Sequence, residues 1–221
     1  MLYALPGLRP ASKGNTMRLF IIPSLAILAT VTSALPAAAP TTAKSTLENL
    51  QTAYNGESNA HATYLAYSEK AKSEGHQKVA SLFAAAARSE EIHAANHAKV
   101  IRSMGAEPKA EVKKPQVASS KENLQAALKG ESYERDTMYP DFLARARKDG
   151  NGDAIQTLNL ARTAEIEHAK LYKQALAELE SWKGATASFY VCPVCGWTSM
   201  TMPAERCPSS FTPKSRFLTV A

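Results

Sequence analysis

From Lys44 to Trp182 the chain carries an alanine-rich helical periodicity, with apolar positions recurring at the spacing of helices that bury one face. Alanine, leucine, glutamate, lysine and glutamine dominate this stretch, and they lose little side-chain freedom in a helix. The pattern predicts helices near 44–74, 76–104, 119–149 and 152–182. Ser45 with Glu48, and Ser119 with Glu122, have the spacing of a capping box, which satisfies orphan backbone N–H groups at a helix start. Gly75, Gly105, Gly150 and Gly152 stand where the helices should stop. Gly105 to Ala118, with Pro108, Pro115 and mixed charge, reads as a connection. After Gly184 proline, cysteine, aromatic and threonine residues replace the periodicity, so a small non-helical domain is expected at 185–221, behind a helical body at 40–184.

The helical body is an internal repeat. Leu47-Glu48-Asn49-Leu50-Gln51, running on to Asn55-Gly56-Glu57-Ser58, returns as Lys121-Glu122-Asn123-Leu124-Gln125, running on to Lys129-Gly130-Glu131-Ser132. Glu90-x-x-His93 returns as Glu165-x-x-His168. The domain is therefore two copies of a helical pair. A long link between the second and third helices is the connectivity of a ferritin-like bundle, so the fold class is all-α, a ferritin-like four-helix bundle with a small C-terminal metal-knuckle domain.

Composition narrows the function classes. The 221 residues are 45% hydrophobic and 21% charged, a globular balance. Of the +6 formal charge, Arg9, Lys13 and Arg18 sit in residues 1–39 with no acid, leaving a body at about +3 with interspersed signs, which lacks the basic stripe that binds nucleic acid. Leu19 to Ala39 carries no charge, follows Arg18 and ends in small residues, the form of a secretory signal peptide. Residues 1–39 are read as a leader, with Met17 the more ordinary start. The mature chain is then periplasmic or otherwise exported, with a cytoplasmic location the alternative, and touches a membrane only through an uncleaved leader.

Glu90 and His93 lie three apart and share a helix face, as do Glu165 and His168. One helix earlier, Glu57 and Glu131 hold equivalent places in the repeat. Small apolar flanks such as Phe83-Ala84-Ala85-Ala86-Ala87 point this face inward, where unpaired carboxylates are costly. These glutamates and histidines need a common counter-charge, and two divalent metals supply it. A Glu from each of two helices and a Glu-x-x-His from each of the others is the di-iron carboxylate pattern, and its oxygen-rich donors suit iron or manganese over zinc. Glu134, one turn beyond Glu131, is a further candidate ligand. Tyr64 and Tyr139 fall near the same face, either bonding the metal-bound carboxylates or packing as core tyrosines. His61 and His97 read as ordinary helix residues.

With these residues in place the chain resembles the rubrerythrin family across nearly everything after the leader. The matching stretches are Gly56-Glu57-Ser58 with Tyr64, Glu90-Glu91-Ile92-His93-Ala94, Gly130-Glu131-x-x-Glu134-x-x-x-Met138-Tyr139-Pro140 and Ala164-Glu165-Ile166-Glu167-His168-Ala169-Lys170. The resemblance implies a di-iron centre held by Glu57, Glu90, Glu131, Glu134, Glu165, His93 and His168. It further implies that Glu134 and His93 exchange at one iron, that the chain is a homodimer, and that it reduces hydrogen peroxide in oxidative-stress defence. A ferroxidase or iron-handling protein is the alternative.

The tail resembles a rubredoxin module with one departure. Tyr190-Val191-Cys192-Pro193-Val194-Cys195-Gly196-Trp197 is one metal knuckle, and Cys207-Pro208-Ser209-Ser210 looks like the second, with Ser210 where a fourth cysteine would stand. A complete site holds iron with four thiolates. Three outcomes stay open: one further iron held by Cys192, Cys195, Cys207 and Ser210 or water; a zinc-occupied or metal-free remnant; or a Cys192–Cys195 disulfide after export. In intact family members the rubredoxin iron passes electrons to the di-iron site, usually across the dimer. With Ser210 present, the electron donor is left unidentified.

Overall fold

Both capping boxes form. The Ser45 hydroxyl accepts the Glu48 N–H while the Ser45 N–H donates to Glu48 Oε2 at 2.6 Å, and Ser119 and Glu122 repeat the arrangement. The computed structural model describes residues 44–221; the leader expected at 1–39 lies outside the described residues. Helix α1 spans Thr46–Ser73, α2 Gln77–Ser103, α3 Ser120–Tyr133, α4 Tyr139–Lys148 and α5 Gly152–Ala177. Strands β1 (Phe189–Val191), β2 (Thr198–Ser199) and β3 (Leu218–Val220) form an antiparallel sheet in the order β2-β1-β3. Among the described residues no helix is long and apolar enough to cross a membrane.

The third helix is not the continuous element expected over 119–149. A π-helical turn at Glu134–Met138 separates α3 from α4, and the repeat explains it. In α1, Glu57 and Tyr64 are two turns apart, whereas their counterparts Glu131 and Tyr139 stand one residue further apart. A π turn absorbs an extra residue without ending the helix, so Tyr139 returns to the inner face, where it is fully buried. The fourth helix also stops short of Trp182, at Ala177. Trp182 turns back into the core, donating from Nε1 to Glu178 Oε2 at 2.6 Å, with Lys78 Nζ 3.8 Å over its ring.

The connection after α2 is tied to α1 by side-chain amides. Gln51, Asn55 and Asn59 stand four residues apart on one face of α1. Gln51 bonds the Glu107 carbonyl and Lys109 N–H, Asn55 accepts the Glu111 N–H, and Asn59 bonds the Glu111 carbonyl and Lys113 N–H, at 2.6–3.0 Å. The amides stand in for a neighbouring strand, so the backbone groups of an irregular segment are satisfied.

One half of the core gathers Tyr64, Phe83 and Tyr172, with ring centroids 5.4–5.9 Å apart. Phe189 and Val191 of β1 belong to this same cluster, so the C-terminal sheet and the helices share buried apolar surface. The other half, around Leu50, Ile101, Tyr139, Leu143 and Leu158, joins α1, α2, α4 and α5. Between the halves lies a polar band.

Candidate metal centre

The polar band is made of Glu57 from α1, Glu90 and His93 from α2, Glu131 from α3, and Glu165 and His168 from α5, all buried. His93 Nδ1 lies 2.8 Å from Glu90 Oε2, 3.1 Å from Glu165 Oε1 and 3.8 Å from Glu57 Oε1. His168 Nδ1 mirrors it, 2.8 Å from Glu165 Oε2, 3.2 Å from Glu90 Oε1 and 3.7 Å from Glu131 Oε1. The donor atoms fall into two groups, each within 4.8 Å: Glu57, Glu90, His93 and Glu165; and Glu90, Glu131, Glu165 and His168. Glu90 and Glu165 belong to both.

These donors fit a pair of divalent cations. Both carboxylate oxygens of Glu90 and Glu165, one each of Glu57 and Glu131, and Nδ1 of both histidines are buried without a hydrogen-bond partner. Unpaired buried charge of this density is unfavourable, and cations between the donors remove the conflict. As the side chains stand, protons carry that role. Burial, and then the neighbouring Glu90 charge, push Glu165 up to about 8, and burial likewise raises Glu90. Burial works against protonation of His93 and His168, but the carboxylates around them outweigh it and hold both well above the ordinary imidazole range. Glu57 goes the other way: the His93 and His97 rings, 3.8 and 3.9 Å from its Oε1, overcome burial and hold it low.

Glu134 stands apart. It sits half-buried on the π turn and joins neither donor group. Burial of its carboxyl, followed by the charges of Glu57, Glu131, Glu165 and Glu90, pushes it well above the usual carboxylate range. Tyr64 donates to Glu131 Oε1 at 2.6 Å and Tyr139 donates to Glu57 Oε1. Both tyrosines therefore orient carboxylates as well as filling core. His61 contacts the Ala87 carbonyl, away from the band. His97 departs from its reading as an ordinary helix residue: it is fully buried, with Nε2 3.2 Å from Tyr139 Oη and Nδ1 2.9 Å from Thr157 Oγ1.

The outer nitrogens of both centre histidines are held by the knuckle segment. His93 Nε2–H donates to the Cys195 carbonyl at 3.0 Å. Thr198 Oγ1 gives its proton to the Gly196 carbonyl at 2.8 Å and so accepts from His168 Nε2–H at 3.3 Å. In the neutral ring that a metal would bind, each contact keeps the hydrogen on Nε2 and leaves Nδ1 bare toward the carboxylates. Both lie within one chain.

Cys192, Cys195 and Cys207 are buried free thiols, so the Cys192–Cys195 disulfide does not form here. Their sulfurs lie within 4.8 Å of one another, and Ser210 Oγ lies 3.2 Å from Cys192 Sγ. The two knuckles have the same backbone. Gly196 N–H donates to the Cys192 carbonyl and Cys192 N–H to Trp197; Phe211 N–H donates to the Cys207 carbonyl and Cys207 N–H to Thr212, all at 2.8–3.0 Å. Ser210 thus occupies the place in the second knuckle that Cys195 holds in the first. Cys192 is pulled down to about 4 by the Cys195 contact, helped by the Ser210 and Thr212 hydroxyls and opposed by burial.

A family model described as Rubrerythrin matches residues 48–176. The chain belongs to the rubrerythrin family. Nigerythrin from Nitratidesulfovibrio vulgaris is 36% identical over 176 residues, covering 78% of this chain and 85% of the relative. Rubrerythrin-2 from Clostridium acetobutylicum is 36% identical over 175 residues, covering 78% and 95%. Among solved structures, fully reduced, all-ferrous nigerythrin superposes with a TM-score of 0.75 at 35% identity, covering 86% of this chain and 96% of that one. A Mycobacterium tuberculosis bacterioferritin, at 18% identity and a TM-score of 0.57, shares the fold.

Within this rubrerythrin fold, sequence reasoning brought together the six clustered donors and both tyrosines but missed Gly196, Thr198 and Ser89, whose hydroxyl donates to the Gly196 carbonyl at 2.8 Å. The one available signal was the glycine. A β-carbon at Gly196 would stand 2.2 Å from Ser89 Oγ and 2.4 Å from His93 Nε2, at a backbone φ of +73°. Gly196→Ala is expected to lift the knuckle off His93 while leaving the helices formed. Metal affinity, read by competition with a chromophoric chelator, should then fall by about 10–100-fold, the usual effect of losing a partner behind a ligand. Unchanged affinity would remove the knuckle from ligand support.

Proposed function

We propose that the chain is a di-iron peroxidase that reduces hydrogen peroxide to water, with Glu57, Glu90, His93, Glu131, Glu165 and His168 holding the irons. The observation that carries this reading is the hydrogen bond from His93 Nε2 to the carbonyl of Cys195. It joins the carboxylate centre to the thiolate cluster by a single contact, the connection a peroxidase needs because each turnover consumes electrons that a one-electron carrier must return. Iron, when bound, supplies one electron per ion to the oxidant.

The protein's own groups fix where that happens. Glu90 and Glu165, common to both donor groups, set the spacing of the cations. Tyr64 and Tyr139 orient Glu131 and Glu57 through their hydroxyls. Glu134, on a π turn and outside both groups, is free to enter or leave the centre as charge there changes. The resemblance supplies the rest: a homodimer, and exchange between Glu134 and His93. The leader's form supports export. One observation favours ferroxidase or iron-handling chemistry instead: Ser210 replaces a thiolate in the cluster that would relay electrons.

Anaerobic stopped-flow oxidation of the ferrous-loaded mature chain separates the two readings. Peroxide is expected to oxidise it at least about tenfold faster than oxygen, a difference of about 1.4 kcal/mol in barrier. Equal or faster reaction with oxygen would overturn the peroxidase reading. Glu134→Ala should slow peroxide turnover while most iron stays bound; unchanged turnover would take that residue out of the reaction.

A further inference from the structure

The peroxidase reading leaves one buried polar chain unused. Reduction of one peroxide to two waters takes two electrons and two protons, and the described centre is sealed by the tyrosine, phenylalanine and alanine side chains around it. Protons therefore need a defined way in. From Glu57 outward runs a continuous series of side chains from α4, α2 and α5. Tyr139 donates to Glu57 Oε1; His97 Nε2 lies 3.2 Å from Tyr139 Oη; Thr157 Oγ1 lies 2.9 Å from His97 Nδ1.

The direction of these bonds is determined. Tyr139 gives its only proton to Glu57, so its oxygen can only accept from His97, which must carry hydrogen on Nε2. A neutral imidazole with hydrogen on Nε2 has a bare Nδ1, which can only accept from the Thr157 hydroxyl. Every donor points inward. Thr157 in turn lines a cavity of about 310 Å³, whose rim carries the exposed side chains of Lys99, Asp153 and Gln156. The series thus has a solvent end and a centre end.

We propose that Thr157, His97 and Tyr139 form a proton wire from this cavity to Glu57 Oε1. One proton arrives on Thr157 Oγ1 from cavity water. The threonine's own proton passes to His97 Nδ1, the Nε2 proton passes to Tyr139 Oη, and the tyrosine's proton passes to Glu57 Oε1, which hands a proton on within the centre and so remains a carboxylate. One proton enters and one is delivered. His97 holds one ring proton before and after, now on the other nitrogen, and rotation of the two hydroxyls with return of the ring tautomer resets the series. Neither Thr157 nor His97 touches substrate; they act through Tyr139 and Glu57.

The wire rests on the redox reading only in requiring a centre whose charge changes, and the test is chosen accordingly. The ferric-loaded protein is reduced by reduced methyl viologen, which gives one electron per iron and releases no proton on becoming the dication, while a pH-indicator dye follows the protons taken up. Thr157→Val keeps the shape and removes the hydroxyl; Thr157→Ser keeps the hydroxyl. The Val variant is expected to slow dye-reported proton movement by about 100-fold, the low end of what positioned proton transfer contributes, and the Ser variant to stay near the parent rate. His97→Ala should be slowed likewise and recover with added imidazole. With peroxide as oxidant, Thr157→Val should lower kcat and leave KM unchanged.

Parent-like proton movement in Thr157→Val would overturn the wire. Equal slowing in the Ser and Val variants, or failure of imidazole to restore His97→Ala, would assign the effect to packing and overturn it too. Reduction by the viologen involves no peroxide, so loss of the peroxidase reading leaves this result standing.

Discussion

Glu165→Gln and Glu90→Gln each cost the protein both metal ions, whereas Glu57→Gln and Glu131→Gln each cost one. This is the expected outcome because Glu90 and Glu165 contribute donors to both groups, while Glu57 serves only the His93 side and Glu131 only the His168 side. Removing one partner from a buried charged set costs about 3–5 kcal/mol, which corresponds to between about a hundred- and a few thousand-fold in affinity at each affected position. Metal per chain after desalting, measured by elemental analysis, should fall from two to near zero for the shared pair and to about one for the others. Equal losses across the four variants would mean that the carboxylates are not shared.

The same charge arithmetic governs stability. At a thousandfold excess over its dissociation constant a bound ion contributes about 4 kcal/mol. Two ions should then raise Tm by about 15–30 °C for a domain of this size, at about 2–4 °C per kcal/mol. The metal-free protein should behave differently with pH. Glu165 is raised from 4.5 to about 8, so between those values the folded chain binds a proton that the unfolded chain has lost. Stability from that proton is present below about pH 4.5 and disappears as pH rises through 8. Glu90 and both centre histidines are raised too and add the same sign; His97 and Cys192, held below their ordinary values, oppose within this range, and Glu57 opposes only below about pH 4.5. Melting of the chelator-treated protein should fall across pH 5–8, and bound metal should flatten the profile. A flat metal-free profile would show that the carboxylates are not desolvated as described.

What could be read from the chain was whatever repeats. The duplicated Glu-x-x-His motifs, their partner glutamates and the paired capping boxes locate the bundle and its centre, because helical spacing converts sequence distance into a shared face. The π turn was also written there, in the one-residue difference between Glu57–Tyr64 and Glu131–Tyr139, but a local reading treats both as roughly two turns. Contacts between distant segments left no such trace. The amides of Gln51, Asn55 and Asn59 resemble any polar helix face until the crossover lies along them. Nothing near His93 announces that Cys195 will hold its ring, and His97 becomes distinctive only once Tyr139 and Thr157 stand on either side.

Ser210→Cys should convert the tail into a complete iron site. The two knuckles superimpose bond for bond: each first cysteine receives an N–H from the residue four positions on, and donates its own N–H to the carbonyl five positions on. Both knuckles also pass through a left-handed residue directly after the i+3 ligand place, Gly196 at φ +73° and Phe211 at φ +59°. That conformation costs a side-chain-bearing residue about 1–2 kcal/mol, and Phe211 adopts it while largely exposed. The turn has kept its shape although both the thiolate and the glycine are gone. Replacing Oγ by Sγ at 210 therefore puts a fourth sulfur beside Cys192, where Ser210 Oγ already lies at 3.2 Å. Ser210→Cys with Phe211→Gly should add one iron per chain, show the visible absorption of a ferric four-thiolate site, and speed re-reduction of the di-iron centre through the Cys195–His93 contact. Ser210→Ala, which removes the hydroxyl and adds no thiol, should do none of these. If metal content and spectrum stay unchanged in the double variant, the second knuckle has lost metal competence for reasons other than its missing sulfur, and electrons reach His93 by a route that bypasses it.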